Sequence, residues 1–142
     1  MRDRGRVFSL CAWCAAGLYV LVLSYFTLAP DPWWFMGEWG RETEESLDST
    51  FADYLQHFGA YLMLSLLVVG ASLTTLRPSA LICGIAAVLH GIATEALQHF
   101  IPRRTCDWTD ALANAGGAFI GWLLIDRFGF ILQKTARRKR PA

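Results

Sequence analysis

Long uncharged apolar runs alternate along this chain with short polar stretches, and the spacing of the runs predicts helices that cross a bilayer. Residues 7–29 carry no charge and exceed the roughly 20 residues a spanning helix needs. Residues 58–76 form a second uncharged run, closed by Arg77-Pro78. Pro78 suits the opening turn of the next helix, where a missing N–H costs nothing. Residues 79–100 form a third run, interrupted by His90 and Glu95. Residues 108–124 form the fourth and weakest, because Asp110 and Asn114 enter its first turns. The pattern predicts an all-α, integral membrane four-helix bundle: a single domain over residues 1–142 with a basic tail at 127–142.

Composition agrees with that pattern. Of the 142 residues, 54% are hydrophobic and only 18% charged, too apolar a balance for an ordinary water-soluble domain. The charges are segregated. Arg2, Arg4 and Arg6 lie at one end of the chain, and Lys134, Arg137, Arg138, Lys139 and Arg140 at the other. Between them, residues 31–53 carry Asp31, Glu38, Glu42, Glu44, Glu45, Asp48 and Asp53 against Arg41 alone. Cytoplasmic loops are enriched in Lys and Arg, so both termini are expected in the cytoplasm, which needs an even number of spans. The first and third loops then face outward. The first bears Trp33, Trp34 and Trp39, which suit the membrane interface. A cleaved signal peptide at residues 1–29 is the rival reading. The apolar run outlasts the ~7–15 residues of such a peptide, so a retained anchor is expected. The basic tail reads as a topology anchor touching anionic lipid, and no nucleic-acid partner is expected. Cys11, Cys14, Cys83 and Cys106 form no metal or disulfide framework by spacing, and no metal or cofactor is expected.

Polar residues gather at one end of the predicted spans. Asp53, His57 and Tyr61 recur at i, i+4 and i+8, a helical stripe that Ser65 continues. Glu95 and Gln98 share a face of the third span, and Asp107, Asp110 and Asn114 share a face of the fourth. Glu95 lies roughly 10 Å below the Ile101-Pro102 turn at 1.5 Å per residue. A carboxylate at that depth needs a partner, and Arg104 or His57 is the available cation. The stripes are expected to face one another in a hydrogen-bonded pocket open to the outside. Plainer roles exist for several members. Asp107 and Asp110 suit a helix N-terminus, with Thr105 or Asp107 as cap. His57, Tyr61 and Asn114 suit interhelical bonding, and His90 reads as a satisfied core histidine. Gly117-x-x-x-Gly121 allows close packing within the bundle and would serve a homodimer equally well.

At these residues the chain resembles the VanZ-like family of small bacterial membrane proteins. The resemblance runs through Asp53-x-x-x-His57-Phe58-x-x-Tyr61, Glu95-x-x-Gln98, Pro102-Arg103-Arg104 and Asp107-x-x-Asp110-x-x-x-Asn114-x-x-Gly117-x-x-x-Gly121. The end of the first span, Thr27-Leu28-Ala29-Pro30, is similar as well. Arg103 departs from the family pattern, which more often has a small residue there, usually Gly. The resemblance implies a multi-pass protein of the bacterial inner (cytoplasmic) membrane that faces the cell envelope. The family takes its name from a protein that raises resistance to the glycopeptide teicoplanin.

Three readings follow. In the first, a non-catalytic pocket binds a lipid headgroup or envelope precursor. Asp53, His57, Tyr61, Glu95, Gln98, Arg104, Asp107, Asp110 and Asn114 supply it; Arg104 meets an anionic group and is oriented by Asp107, Asp110 and Asn114. In the second, the chain is a membrane enzyme with His57, Glu95 and Asp110 as candidate acid/base groups acting on a lipid-linked substrate. No nucleophile stands at motif spacing, and His57, Glu95 and Asp110 are not spaced diagnostically for a metal. In the third, the polar stripes only hold the helices together.

Overall fold

The computed structural model describes residues 2–37, 50–74 and 79–138, and is all-helical over them. Helix α1 spans Arg2–Leu28, α2 Thr50–Thr74, α3 Ala80–Gln98 and α4 Trp108–Arg138, with a single 3-10 turn at Trp34–Met36 after α1. The first loop beyond residue 37, the Arg77-Pro78 connection and the last residues of the basic tail lie outside the described residues. Three helices contain segments long and apolar enough to cross a membrane: Gly5–Leu28, Phe51–Thr74 and Ala80–Gln98.

Helix ends differ from the apolar boundaries at several points. α1 starts at Arg2, because arginines are good helix formers and Asp3 complements the dipole in the first turn. α2 starts at Thr50, so Asp53 and His57 stand on regular helix in register with Tyr61. Ser79 caps α3, its Oγ accepting the Ile82 N–H at 3.4 Å. α4 runs on to Arg138, through most of the basic stretch read as the tail at 127–142. Residues 130–138 contain no Gly or Pro and include Leu, Gln, Lys, Ala and Arg, all good helix formers, so nothing stops the helix where hydropathy falls.

α2 is the centre of the packing. It touches the other three helices, most extensively α4, while α3 packs on α4 and α1. The closeness of α2 and α4 follows from Gly117 and Gly121. A Cβ on Gly117 would land on the Phe58 carbonyl, and one on Gly121 would come within 2.8 Å of the Leu62 carbonyl oxygen. The G-x-x-x-G motif therefore serves a contact inside the chain. Gly84 and Gly91 do the same for α3, against the Trp122 ring and against Asn114 and Tyr61. Leu23, Tyr61, Leu64, Ala87 and Ala118 are buried where the helices meet. Outward-facing positions are strongly apolar as well: Val7, Phe8, Leu18 and Leu21 on α1 and Leu81, Ile82 and Leu89 on α3 are all exposed. Aliphatic side chains on the outside and polar ones within reverse the usual soluble pattern and suit a lipid surround.

Candidate functional site

The carbonyl end of α1, the start of α2, the end of α3 and the start of α4 meet at one end of the molecule. A helix leaves its last four carbonyls without internal partners. For α1 those groups find side chains from the far part of the chain. Arg104 donates from Nη2 to the Phe26 carbonyl at 2.7 Å and from Nε to the Ala29 carbonyl at 3.0 Å. Gln98 donates from Nε2 to the Thr27 carbonyl at 3.0 Å. This corrects the expected role of both residues. The α1 carbonyls, not Asp107, Asp110 and Asn114, orient the guanidinium, and among the described residues Arg104 forms no ion pair.

The turn that delivers Arg104 has its own logic. The Arg104 N–H donates to the Ile101 carbonyl at 3.2 Å, Pro102 takes the second position, and Arg103 has φ of 67° at the third. That is the pattern of a type II turn, whose third residue needs a positive φ and is usually Gly. Beyond it, Asp107 caps α4: its Oδ1 accepts the Thr109 N–H at 2.9 Å, and its carbonyl accepts from Asp110 and Ala111. The Thr109 amide and hydroxyl hold the Asp107 carboxyl below the usual carboxylate range. Asp107 is thus a helix cap. Glu95 supports it, with Oε1 accepting the Asp107 N–H at 2.7 Å. The partner of Glu95 is this backbone amide and not Arg104.

His57 is the hub of what remains. Asn114 donates from Nδ2 to the Gly91 carbonyl at 3.4 Å, which turns its Oδ1 toward the imidazole. An amide oxygen only accepts, so the 3.0 Å contact with His57 Nδ1 requires a proton on Nδ1. His57 Nε2 then faces two carboxylates, Asp53 Oδ1 at 3.6 Å and Asp110 Oδ2 at 3.8 Å. The cluster grades from open to closed: the Asp53 side chain is 52% exposed, His57 17% and Asp110 11%. Glu95 lies deeper, at 2% exposure, within electrostatic reach of both His57 and Asp110. Two buried oxygens here, Glu95 Oε2 and Asp110 Oδ1, meet no hydrogen-bond donor among the described residues.

Beneath the cluster runs a second network. Thr94 donates to the His90 and Gly91 carbonyls, so its Oγ1 accepts from Tyr61 at 2.7 Å. The Tyr61 oxygen is then free to accept from His90 Nδ1 at 3.0 Å, and His90 Nε2 faces Ser24 Oγ at 3.0 Å. His90 is the satisfied core histidine expected from its position, and it joins α1, α2 and α3. Tyr61, expected among the ligand-contacting residues, is fully buried in this network. Of that expected set, Asp53, His57, Asp110, Asn114 and Glu95 converge; Tyr61, Gln98, Arg104 and Asp107 hold the framework around them. The sequence reading missed Thr94, Ser24 and the close approach at Gly91. Thr94 falls four residues after His90, on the same helix face, and was findable from that spacing.

The family model described as VanZ/LLP1 matches residues 16–131. The chain belongs to the VanZ/LLP1 family. Comparison with curated proteins and with solved structures gives no match. The matched residues take in the α1 terminus, the turn at Arg103 and the whole His57 cluster. In this VanZ/LLP1 protein, the Thr27-Leu28-Ala29-Pro30 segment, Gln98 and Arg104 form one structural unit: a helix end and the side chains that satisfy it.

Proposed function

We propose that this VanZ/LLP1 protein is a multi-pass protein of the bacterial inner membrane whose polar end binds a lipid headgroup or envelope precursor. In this reading all four helices span, both termini are cytoplasmic and the His57 cluster opens outward. One observation carries it: carboxylates from α2, α3 and α4 converge, and two buried oxygens, Glu95 Oε2 and Asp110 Oδ1, lack donors among the described residues. A buried acceptor without a donor costs about 1–3 kcal/mol. Hydroxyl or ammonium groups of a headgroup, or of a lipid-linked sugar-peptide, would supply what is missing. Sequestering such a precursor is the route by which a teicoplanin-type resistance phenotype would arise. Native mass spectrometry of the detergent-released protein with phosphatidylethanolamine, phosphatidylglycerol and an undecaprenyl-linked precursor tests the reading. One of these should remain bound to the wild type and be lost at least tenfold in Asp110→Asn. Equal retention of every lipid by both proteins would refute it.

A second reading has its own support. The His57 imidazole has Nδ1 fixed by Asn114 and Nε2 set between two carboxylates. That is the arrangement of an oriented general base. As a membrane enzyme, the protein would use His57 to activate water against a lipid-linked substrate, with Asp110 stabilising the imidazolium. Turnover of a labelled lipid precursor, abolished by His57→Gln, would establish this reading over simple binding.

A further inference from the structure

We propose that Asp53, His57 and Asp110 form a binding site for one divalent cation of the zinc class. Sequence spacing gave no reason to expect a metal, because the three residues come from two helices far apart in the chain. In space, one ligand atom from each lies within 4.8 Å of the others. Nε2 of His57 stands 3.6 Å from Asp53 Oδ1 and 3.8 Å from Asp110 Oδ2. Both separations are too long for hydrogen bonds, so a protonated imidazole bridging the two carboxylates does not account for them. A tetrahedral ion about 2.1 Å from each ligand holds its ligand atoms roughly 3.4 Å apart. The two separations from His57 exceed that value by about 0.2–0.4 Å, and the two aspartate oxygens, within 4.8 Å of each other, would draw together on the ion.

The imidazole is prepared for such a role. Metal-binding histidines commonly donate their second ring N–H to a carbonyl or carboxylate, which fixes tautomer and ring orientation. Asn114 Oδ1 is that acceptor here, and Asn114 is itself fixed by the Gly91 carbonyl. The Nε2 lone pair is therefore directed between the two aspartates. An independent observation points the same way. Asp110 is 8% exposed with Oδ1 unpartnered, and Glu95 beside it is 2% exposed with Oε2 unpartnered. The cluster so gathers three carboxylates around the Nε2 face of His57, with two buried carboxylate oxygens meeting no donor among the described residues. One imidazole and two carboxylates form a three-ligand set that leaves a fourth position open, as zinc sites that bind substrate do. Mixed nitrogen and oxygen donors favour zinc over magnesium or calcium, which take oxygen-only shells. The half-exposed Asp53 supplies the way in. The open coordination position would accept a phosphate or carboxylate oxygen, giving the cluster a cationic centre that Arg104, held by α1, does not provide.

The inference is independent of the headgroup reading, because the ion is measured without lipid. Chelator-stripped protein in detergent is titrated calorimetrically with Zn2+, Mn2+ and Mg2+ as chlorides. One Zn2+ per chain is expected, with Mn2+ weaker and Mg2+ undetected. Asp110→Asn and His57→Gln should each weaken Zn2+ at least 100-fold. Asn114→Ala, one shell out, should weaken it about 10-fold. Asp53→Asn changes a half-exposed position and keeps the test valid where a core variant fails to fold; it too should lose affinity at least tenfold. Cys106→Ser and His99→Gln, at exposed positions away from the cluster, should leave the stoichiometric site intact. Absence of stoichiometric Zn2+ binding to the folded wild type overturns the proposal. So does a site that Asp53→Asn and Asp110→Asn leave unchanged.

Discussion

Arg103 sits at φ 67°, a backbone region where a side chain with a Cβ is strained by about 1–2 kcal/mol. Its place as third residue of a type II turn leaves no alternative, because Pro102 fixes the second and the Arg104 N–H closes the turn. Arg103→Gly relieves the strain and gives back part of the gain as greater freedom of the unfolded chain. The expected outcome is a stabilisation of up to about 1 kcal/mol, read as a higher melting temperature in detergent, with Zn2+ and lipid binding unchanged. A lower melting temperature would mean the Arg103 side chain makes a contact that outweighs the strain. The Pro102-Arg103 pair was visible in the sequence; the turn that demands a positive φ of Arg103 was not. The same limit runs through the candidate site. His57, Asp110 and Asn114 were legible because regular helices place i, i+3, i+4 and i+7 neighbours on one face. The intrachain partners of Arg104, Gln98 and Tyr61 were not legible, because a side chain that caps a helix has the same chemistry as one that grips a ligand. Their partners are the Phe26, Thr27 and Ala29 carbonyls and the Thr94 hydroxyl, and backbone carbonyls leave no mark in a sequence.

Neighbouring glycines on α4 show how an element's packing separates residues that composition treats alike. A Cβ on Gly117 would collide with the α2 backbone at Phe58, whereas one on Gly116 would rest 3.7 Å from the Phe58 ring, an ordinary contact. Gly117→Ala forces α2 and α4 apart, at a cost of roughly 1–3 kcal/mol for overpacking. Gly116→Ala keeps the contact and gains up to about 1 kcal/mol of helix propensity. Melting temperatures of the two variants should therefore move in opposite directions. A shift of the same sign in both would show that the two helices are not held at this distance. The existence and order of the helices were readable from apolar runs, since each run is a helix here. The ends were not. Hydropathy marks where lipid stops favouring a segment, while a helix stops where backbone chemistry stops it, and so α1 and α4 run past their apolar limits.

For the whole molecule, the side on which the polar end lies decides whether the His57 cluster can meet an envelope ligand. Arginines near the start of α1 and the basic end of α4 belong at one face, and the capped α1 terminus, the Arg103 turn and the His57 cluster at the other. In the proposed topology, which follows the positive-inside bias, the cluster lies at the outer face. The 3-10 turn at Trp34–Met36 fits there. Trp34 is 70% exposed, its indole donates to the Tyr25 hydroxyl at 3.1 Å, and Trp33 packs against Phe26. An amphipathic ring pinned at a helix end and left open is suited to the headgroup layer. Cys106 provides a direct report, because it is an exposed free thiol one residue before the Asp107 cap. With Cys11→Ser and Cys14→Ser removing the other exposed thiols, a membrane-impermeant maleimide added to intact spheroplasts should label the protein at Cys106, and Cys106→Ser should abolish the label. Cys83 is buried and serves as an internal control that stays unlabelled. Labelling that needs permeabilised membranes would put the polar end in the cytosol. The headgroup reading would then lose its access to the envelope, while the zinc site, which rests on local geometry alone, would be untouched.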